Sequence, residues 1–173
     1  MSNGTKVKKR DGSIEPLNLE KIHIMCEEAC KNLAGVSASQ VEIKSGIQFY
    51  DGMTSREIQD IMIKSANDLI TLENPNYQYV AARLLLYATY KDVYGEFKGK
   101  SLIGMIKLNI ERGVYDADIL NNYSEDEIDQ LDKYIKRNRD ENFTYAGLRQ
   151  IVDKYLCQDR STGQLFETPQ HMY

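Results

Sequence analysis

Lys6-Val7-Lys8-Lys9-Arg10-Asp11-Gly12-Ser13-Ile14-Glu15-Pro16-Leu17 reads as a β-hairpin. Two short β-compatible runs flank Asp11-Gly12, and glycine tolerates the positive φ that a tight turn needs. Asn18 follows at once as a suitable helix N-cap. Ile22, Met25, Cys26, Ala29 and Leu33 then recur at helical spacing, and Gly35 is the expected stop. A hairpin feeding directly into an amphipathic helix is the pattern against which the rest of the chain is read.

Outward from that start, three more helices announce themselves. Ser37-Ala38-Ser39-Gln40 has capping-box spacing and opens a run with Val41, Ile43, Ile47 and Phe49. Asp51-Gly52 breaks the chain. Thr54-Ser55-Arg56-Glu57 is a second capping box, with Ile58, Ile61, Met62, Ser65 and Leu69 expected inward. Pro75 marks a restart, and Tyr77, Val80, Ala81, Leu84, Tyr87 and Ala88 form the next inward face. Residues 5–95 therefore make one small unit.

The second half differs. Ser101 to Arg112 predicts a short apolar helix ending at Gly113. An acidic stretch follows, and Ser124-Glu125-Asp126-Glu127 caps a helix continued by Ile128, Leu131 and Ile135. Its carboxylates need no role beyond solvation and the helix dipole. Thr144 to Lys154 is expected to be helical. Tyr155–Gln158 and Gln164–Glu167 read as a hairpin around Arg160–Gly163, with no closing helix after it.

Composition narrows the function classes. With 173 residues, 42% hydrophobic and 28% charged, the chain can bury a core and has no disordered or low-complexity tract. No apolar run reaches membrane-spanning length, and the polar start lacks the apolar region of a secretory signal. A net charge of −4 argues against a nucleic-acid partner. Three cysteines, Cys26, Cys30 and Cys157, make neither a disulfide framework nor a zinc site, and fit a reducing cytosol. Lys6, Lys8, Lys9 and Arg10 could simply keep a strand edge soluble. Alternatively they grip phosphate, Arg10 as a fork and Lys9 as a point charge. No Walker loop, G-x-G-x-x-G, nucleophile elbow or paired catalytic carboxylates are present.

The opening run through Ile22, together with Gln48-Phe49-Tyr50-Asp51-Gly52-Met53-Thr54-Ser55, Tyr77-Gln78-Tyr79-Val80-Ala81-Ala82-Arg83-Leu84 and Lys91-Asp92-Val93-Tyr94-Gly95, resembles an ATP-cone. With Asn142-Phe143-Thr144-Tyr145 and Lys154-Tyr155-Leu156, the resemblance extends along the whole chain to the N-terminus of the large (alpha) chain of class Ia ribonucleoside-diphosphate reductases. It implies a mainly α fold with small β-hairpins: a hairpin lid over a four-helix bundle, then a helical lead-in to the reductase barrel over residues 96–173.

The resemblance also implies a function. The cone is that family's overall-activity switch, activated by ATP and inhibited by dATP, with Mg²⁺ accompanying the nucleotide. Carried over by position, Lys9, Arg10 and Lys91 would reach the phosphates. Glu15 and Asn18 would read the adenine edge, with the intervening Pro16 and Leu17. Leu19, Glu20 and Lys21 would follow beside the sugar-phosphate region. Ser55, Glu57 and Gln59 stand where the bacterial pattern usually has threonine, aspartate and histidine near the sugar, which predicts weakened dATP inhibition. The radical, reducing and shuttle cysteines of the family have no counterpart in Cys26, Cys30 or Cys157. The expectation is thus a piece of the large chain without catalytic cofactor, inactive alone. It would work in the cytoplasm with the remainder of that chain, which a separate gene could encode, and with the small (beta) subunit. Phe166, Met172 and Tyr173 are expected to be exposed for that docking. Two rivals remain: a standalone nucleotide-binding module, such as a cone-bearing repressor whose zinc ribbon is missing here, and a purely structural interaction module.

Overall fold

A computed structural model describes residues 4–97 and 99–172. Strand β1 (Lys6–Lys8) pairs antiparallel with β2 (Ile14–Pro16), placing Val7 opposite Glu15. Gly12 takes a φ of +85° in the turn, and the Asp11 carboxylate accepts from the Ser13 amide at 2.9 Å. The predicted hairpin is present, but it is not alone. A two-residue strand β3 (Met53–Thr54) pairs parallel with the other edge of β1, so the sheet order is β2-β1-β3. Two residues are too few for a period, which is why this strand escaped the sequence reading. Beneath the sheet, Val7, Met53 and Ile58 form a small apolar cluster of their own.

Four helices carry the sheet: α1 (Leu19–Cys30), α2 (Ala38–Ser45), α3 (Ser55–Asp68) and α4 (Tyr77–Tyr94). Asn18 caps α1 by accepting from the Lys21 amide at 3.0 Å. The helix stops at Cys30, earlier than Gly35, because Asn32 already adopts a left-handed φ of +59°. At α2 the predicted capping box does not form. The Tyr77 hydroxyl accepts from the Ser37 amide at 3.1 Å and donates to Gln40 Oε1 at 2.5 Å, inserting itself between the two groups that would otherwise pair. Ile43 is 80% exposed, while Ile47 and Phe49 lie past the helix end at Gly46. The Thr54/Glu57 box on α3 forms in full, with Thr54 Oγ1 accepting from the Glu57 amide at 3.1 Å and Glu57 accepting from the Thr54 amide at 2.7 Å.

Helix α4 is buried on almost every side rather than along one stripe: Ala82, Leu85 and Leu86 are as hidden as the predicted Val80, Ala81 and Leu84. The reason lies in the second half. There α5 (Leu102–Glu111), α6 (Asp118–Asn122) and α7 (Glu125–Asp132) precede a 3₁₀ turn at Arg137–Asn142 and α8 (Tyr145–Gln150), which continues as a π turn over Ile151–Tyr155. Leu148, Val152, Leu156 and Leu165 join the α4 core in one contiguous cluster. The Ser124/Glu127 box on α7 is present and Ile128 is buried, whereas Leu131 is 58% exposed.

The expected second hairpin is a turn closed by a single bridge, Gln158 to Leu165, and the chain does add a helix afterwards, α9 (Pro169–Met172). Phe166 and Met172 are half-buried: Met172 packs on the core and Phe166 lies beneath Arg112, so their expected exposure is corrected. Tyr173 lies outside the described residues.

Candidate functional site

The hairpin leans over α1 and α4 and encloses a cavity of about 710 Å³. Its floor is apolar, with Ile22 and Met25 from α1 and Ile58 from α3. Around this floor stand Lys9 from the end of β1, Glu15, Pro16 and Leu17 from β2 and its exit, Asn18 and Lys21 from the start of α1, and Lys91 from α4. Ser55 and Gln59 reach the cavity from the first turns of α3. The Thr54 cap fixes that end of α3, and so places Ser55.

Three predicted residues do not line the cavity. Arg10 turns from the hairpin tip to Asp92, Leu19 borders a shallow outer groove with Pro16–Asn18 and Lys21, and Glu20 is exposed and lines neither. Glu57 is likewise occupied elsewhere, holding the Thr54 cap and accepting from the Tyr50 hydroxyl at 2.9 Å. Conversely, Tyr87, Tyr90, Phe97, Glu28 and Glu141 line the cavity unforeseen. Tyr87 could have been found, since it sits on the α4 face already marked as inward. Phe97 and Glu141 carry no local signal, because only the packing of the second half brings them there.

The charges converge. Glu15 lies 3.4 Å from the Lys9 ammonium and 3.8 Å from that of Lys21, and so ties strand to helix. The Lys91 ammonium sits 4.1 Å from the centroid of the Phe97 ring. Burial first, then repulsion from Lys9, Arg10 and Lys21, brings its pKa down to about 8, against the pull of Glu15. Three ammonium groups, Lys9, Lys21 and Lys91, thus stand around the cavity, two of them sharing the Glu15 carboxylate, with Glu28 and Glu141 also on its lining. Gln59 is buried, its Nε2 only 3.6 Å from the poor acceptor Met25 Sδ and its Oε1 without a partner.

The two thiols of α1 are unreactive in character. Burial pushes Cys26 up to about 12 and Cys30 up to about 11, so both stay protonated at neutral pH. Among the described residues, no cluster of acidic, histidine or cysteine side chains is arranged to hold a metal ion.

The family model described as "ATP cone domain" matches residues 5–92. The chain belongs to the ATP-cone family. Over 173 residues it is 43% identical to ribonucleoside-diphosphate reductase 1 subunit alpha of Escherichia coli K12, covering 100% of this chain and 23% of that protein. The subunit alpha of enterobacteria phage T4 is 45% identical over 141 residues, 80% of this chain and 19% of that protein. That of Helicobacter pylori is 38% identical over 168 residues, 96% and 21% respectively. The chain thus spans about a fifth of the length of the curated relatives it matches. The cone contributes every predicted cavity residue, whereas Phe97 and Glu141 lie outside the matched segment. Among the described residues no helix is long and apolar enough to cross a membrane.

Proposed function

We propose that this chain is the allosteric ATP/dATP-binding module that sets the overall activity of a cytoplasmic ribonucleoside-diphosphate reductase. The observation that carries the reading is the convergence of Lys9, Lys21 and the half-buried Lys91 on an apolar-floored cavity. A polyphosphate would complement those ammonium groups: Lys9, Lys21 and Lys91 would hold it as point charges, and the apolar floor would take the base. Glu15 and Asn18 offer an acceptor and an amide for a base edge, and the unpaired Gln59 amide with the Ser55 hydroxyl offers partners for a sugar hydroxyl. Mg²⁺ would enter bound to the phosphates. The reaction under control would be the reduction of ribonucleoside diphosphates to their deoxy forms, with the remainder of a large chain and the small subunit as partners.

Calorimetric titration with Mg·ATP tests the site. Binding is expected, with Lys9→Ala and Lys91→Ala each weakening it by ~1.5–3 kcal/mol, the range for a lost charge-assisted contact. Unchanged affinity in both variants would refute the assignment. dATP is expected to bind as well, and to inhibit the assembled enzyme less strongly than it inhibits a Gln59→His variant, since serine and glutamine give the 2′-hydroxyl only neutral partners.

A further inference from the structure

The hairpin is fastened at both ends. At its base, β1 is zipped to β3, and the Lys6 amide donates to Asp51 at 2.9 Å. At its tip, Arg10 Nε donates to Asp92 Oδ1 at 2.7 Å. The other Asp92 oxygen accepts from Arg56 of α3, whose Nε lies 3.2 Å from Asp60. The Asp92 side chain is only 18% exposed and that of Arg10 22%. Asp92 follows Lys91 directly on α4, so adjacent residues present a cation to the cavity and a carboxylate to the lid. Arg10 Nη1 and Nη2 are buried and have no partner, and Arg10 does not line the cavity. In this arrangement Arg10 ties the hairpin tip to α4.

We propose that Asp92 is a positioning residue for the cone: bridged by Arg10 from the hairpin and Arg56 from α3, its carboxylate latches the lid over Lys91 and thereby sets the affinity for an adenine nucleoside triphosphate. The proposal rests on the nucleotide reading given above. Its physics gives a sign that separates it from the alternative. If Arg10 were a phosphate ligand, removing the Asp92 charge would release its guanidinium toward the nucleotide and strengthen anion binding. If the carboxylate is a latch, its removal leaves two guanidinium groups facing each other beside Lys91, the lid loosens, and binding weakens.

The test is Asp92→Asn in the 173-residue chain, measured with and without Mg·ATP. Without nucleotide, the hairpin amides of Lys9 and Gly12, bonded to Ser13 and Lys9 carbonyls, are expected to lose hydrogen-exchange protection. With it, the dissociation constant rises about tenfold, in line with loss of a charge-assisted contact. Arg10→Gln gives the same two changes, and combining the substitutions adds little, since both break one bridge. The salt dependence of binding stays as in the unmodified chain, whereas a lost phosphate contact would flatten it. Equal or tighter ATP binding by Asp92→Asn overturns the proposal, as do additive effects or a flattened salt slope in Arg10→Gln. Should Asp92→Asn not fold, Arg10→Gln decides alone through its salt slope and exchange. Failure of the unmodified chain to bind ATP refutes the nucleotide reading instead, and unchanged exchange in both variants refutes the latch independently of it.

Discussion

At pH 8 the Lys91 ammonium is about half neutral, for burial and the neighbouring cations hold its pKa near 8 instead of 10.5. An anion in the cavity favours the charged form, so binding raises that pKa and takes up a proton. Affinity is therefore complete below pH 8 and declines as pH rises from 8 towards the value in the complex. Titrations at pH 8 in two buffers of different ionisation heat should report uptake of about half a proton, and Lys91→Met should abolish it. Folding has the opposite leaning. The charged lysine is worse off folded than unfolded, so this group adds stability as pH climbs from 8 to 10.5. None of this was readable from Lys91 in isolation, since a lysine near a helix end ordinarily stays in water. Resemblance picked out Lys91, Lys9 and Lys21; what spacing could not supply was their common neighbour Glu15 or the Phe97 ring beneath Lys91.

The capping boxes show how the same spacing can have two outcomes. Ser37-x-x-Gln40 and Thr54-x-x-Glu57 look alike in sequence, yet only the second closes, because Tyr77 reaches across to satisfy the first. Thr54→Ala should consequently cost about 1 kcal/mol in urea unfolding, the usual worth of an N-cap, while Ser37→Ala stays within about 0.5 kcal/mol. Tyr77→Phe, which removes the hydroxyl serving both Ser37 and Gln40, should exceed Ser37→Ala. Equal losses for Ser37→Ala and Thr54→Ala would contradict the swap. Helix starts at Asn18, Thr54, Ser101 and Ser124 were legible because a cap is a local event of three or four residues. Strand β3, the early stop of α1 and the all-round burial of α4 were not, since each depends on a partner distant in sequence. At the site the same cause hid the Arg10–Asp92 bond, which spans 82 positions.

At the scale of the molecule, a buried polar seam joins the cone to the C-terminal helix. Asp140 accepts from the Tyr90 hydroxyl at 3.1 Å and from Gln170 Nε2 at 2.8 Å, and the Tyr94 hydroxyl lies 3.0 Å from His171 Nδ1. Burial, helped by Arg137, lowers the His171 pKa to about 4, so it is neutral in the folded chain. As pH falls from 6.5 to 4 the unfolded chain gains a proton here that the folded one refuses, and stability drops. Asp140, whose pKa burial raises, works against this at the acid end of that window. His23, whose pKa the bond to Glu42 raises, works the other way above pH 6.5, so the urea midpoint should decline between pH 6 and 5, and a His171→Asn variant should show a shallower decline; an equally steep one would point elsewhere. A different consequence attaches to the sheet. Its central strand closes on a partner segment across some 45 positions, as the Lys6–Asp51 bond marks, while the helices form from neighbours along the chain. Closing so long a loop is slow relative to helix growth. On refolding, far-UV ellipticity should accordingly recover before the ability to bind ATP, leaving an interval in which the chain has its helices and no roof over its cavity.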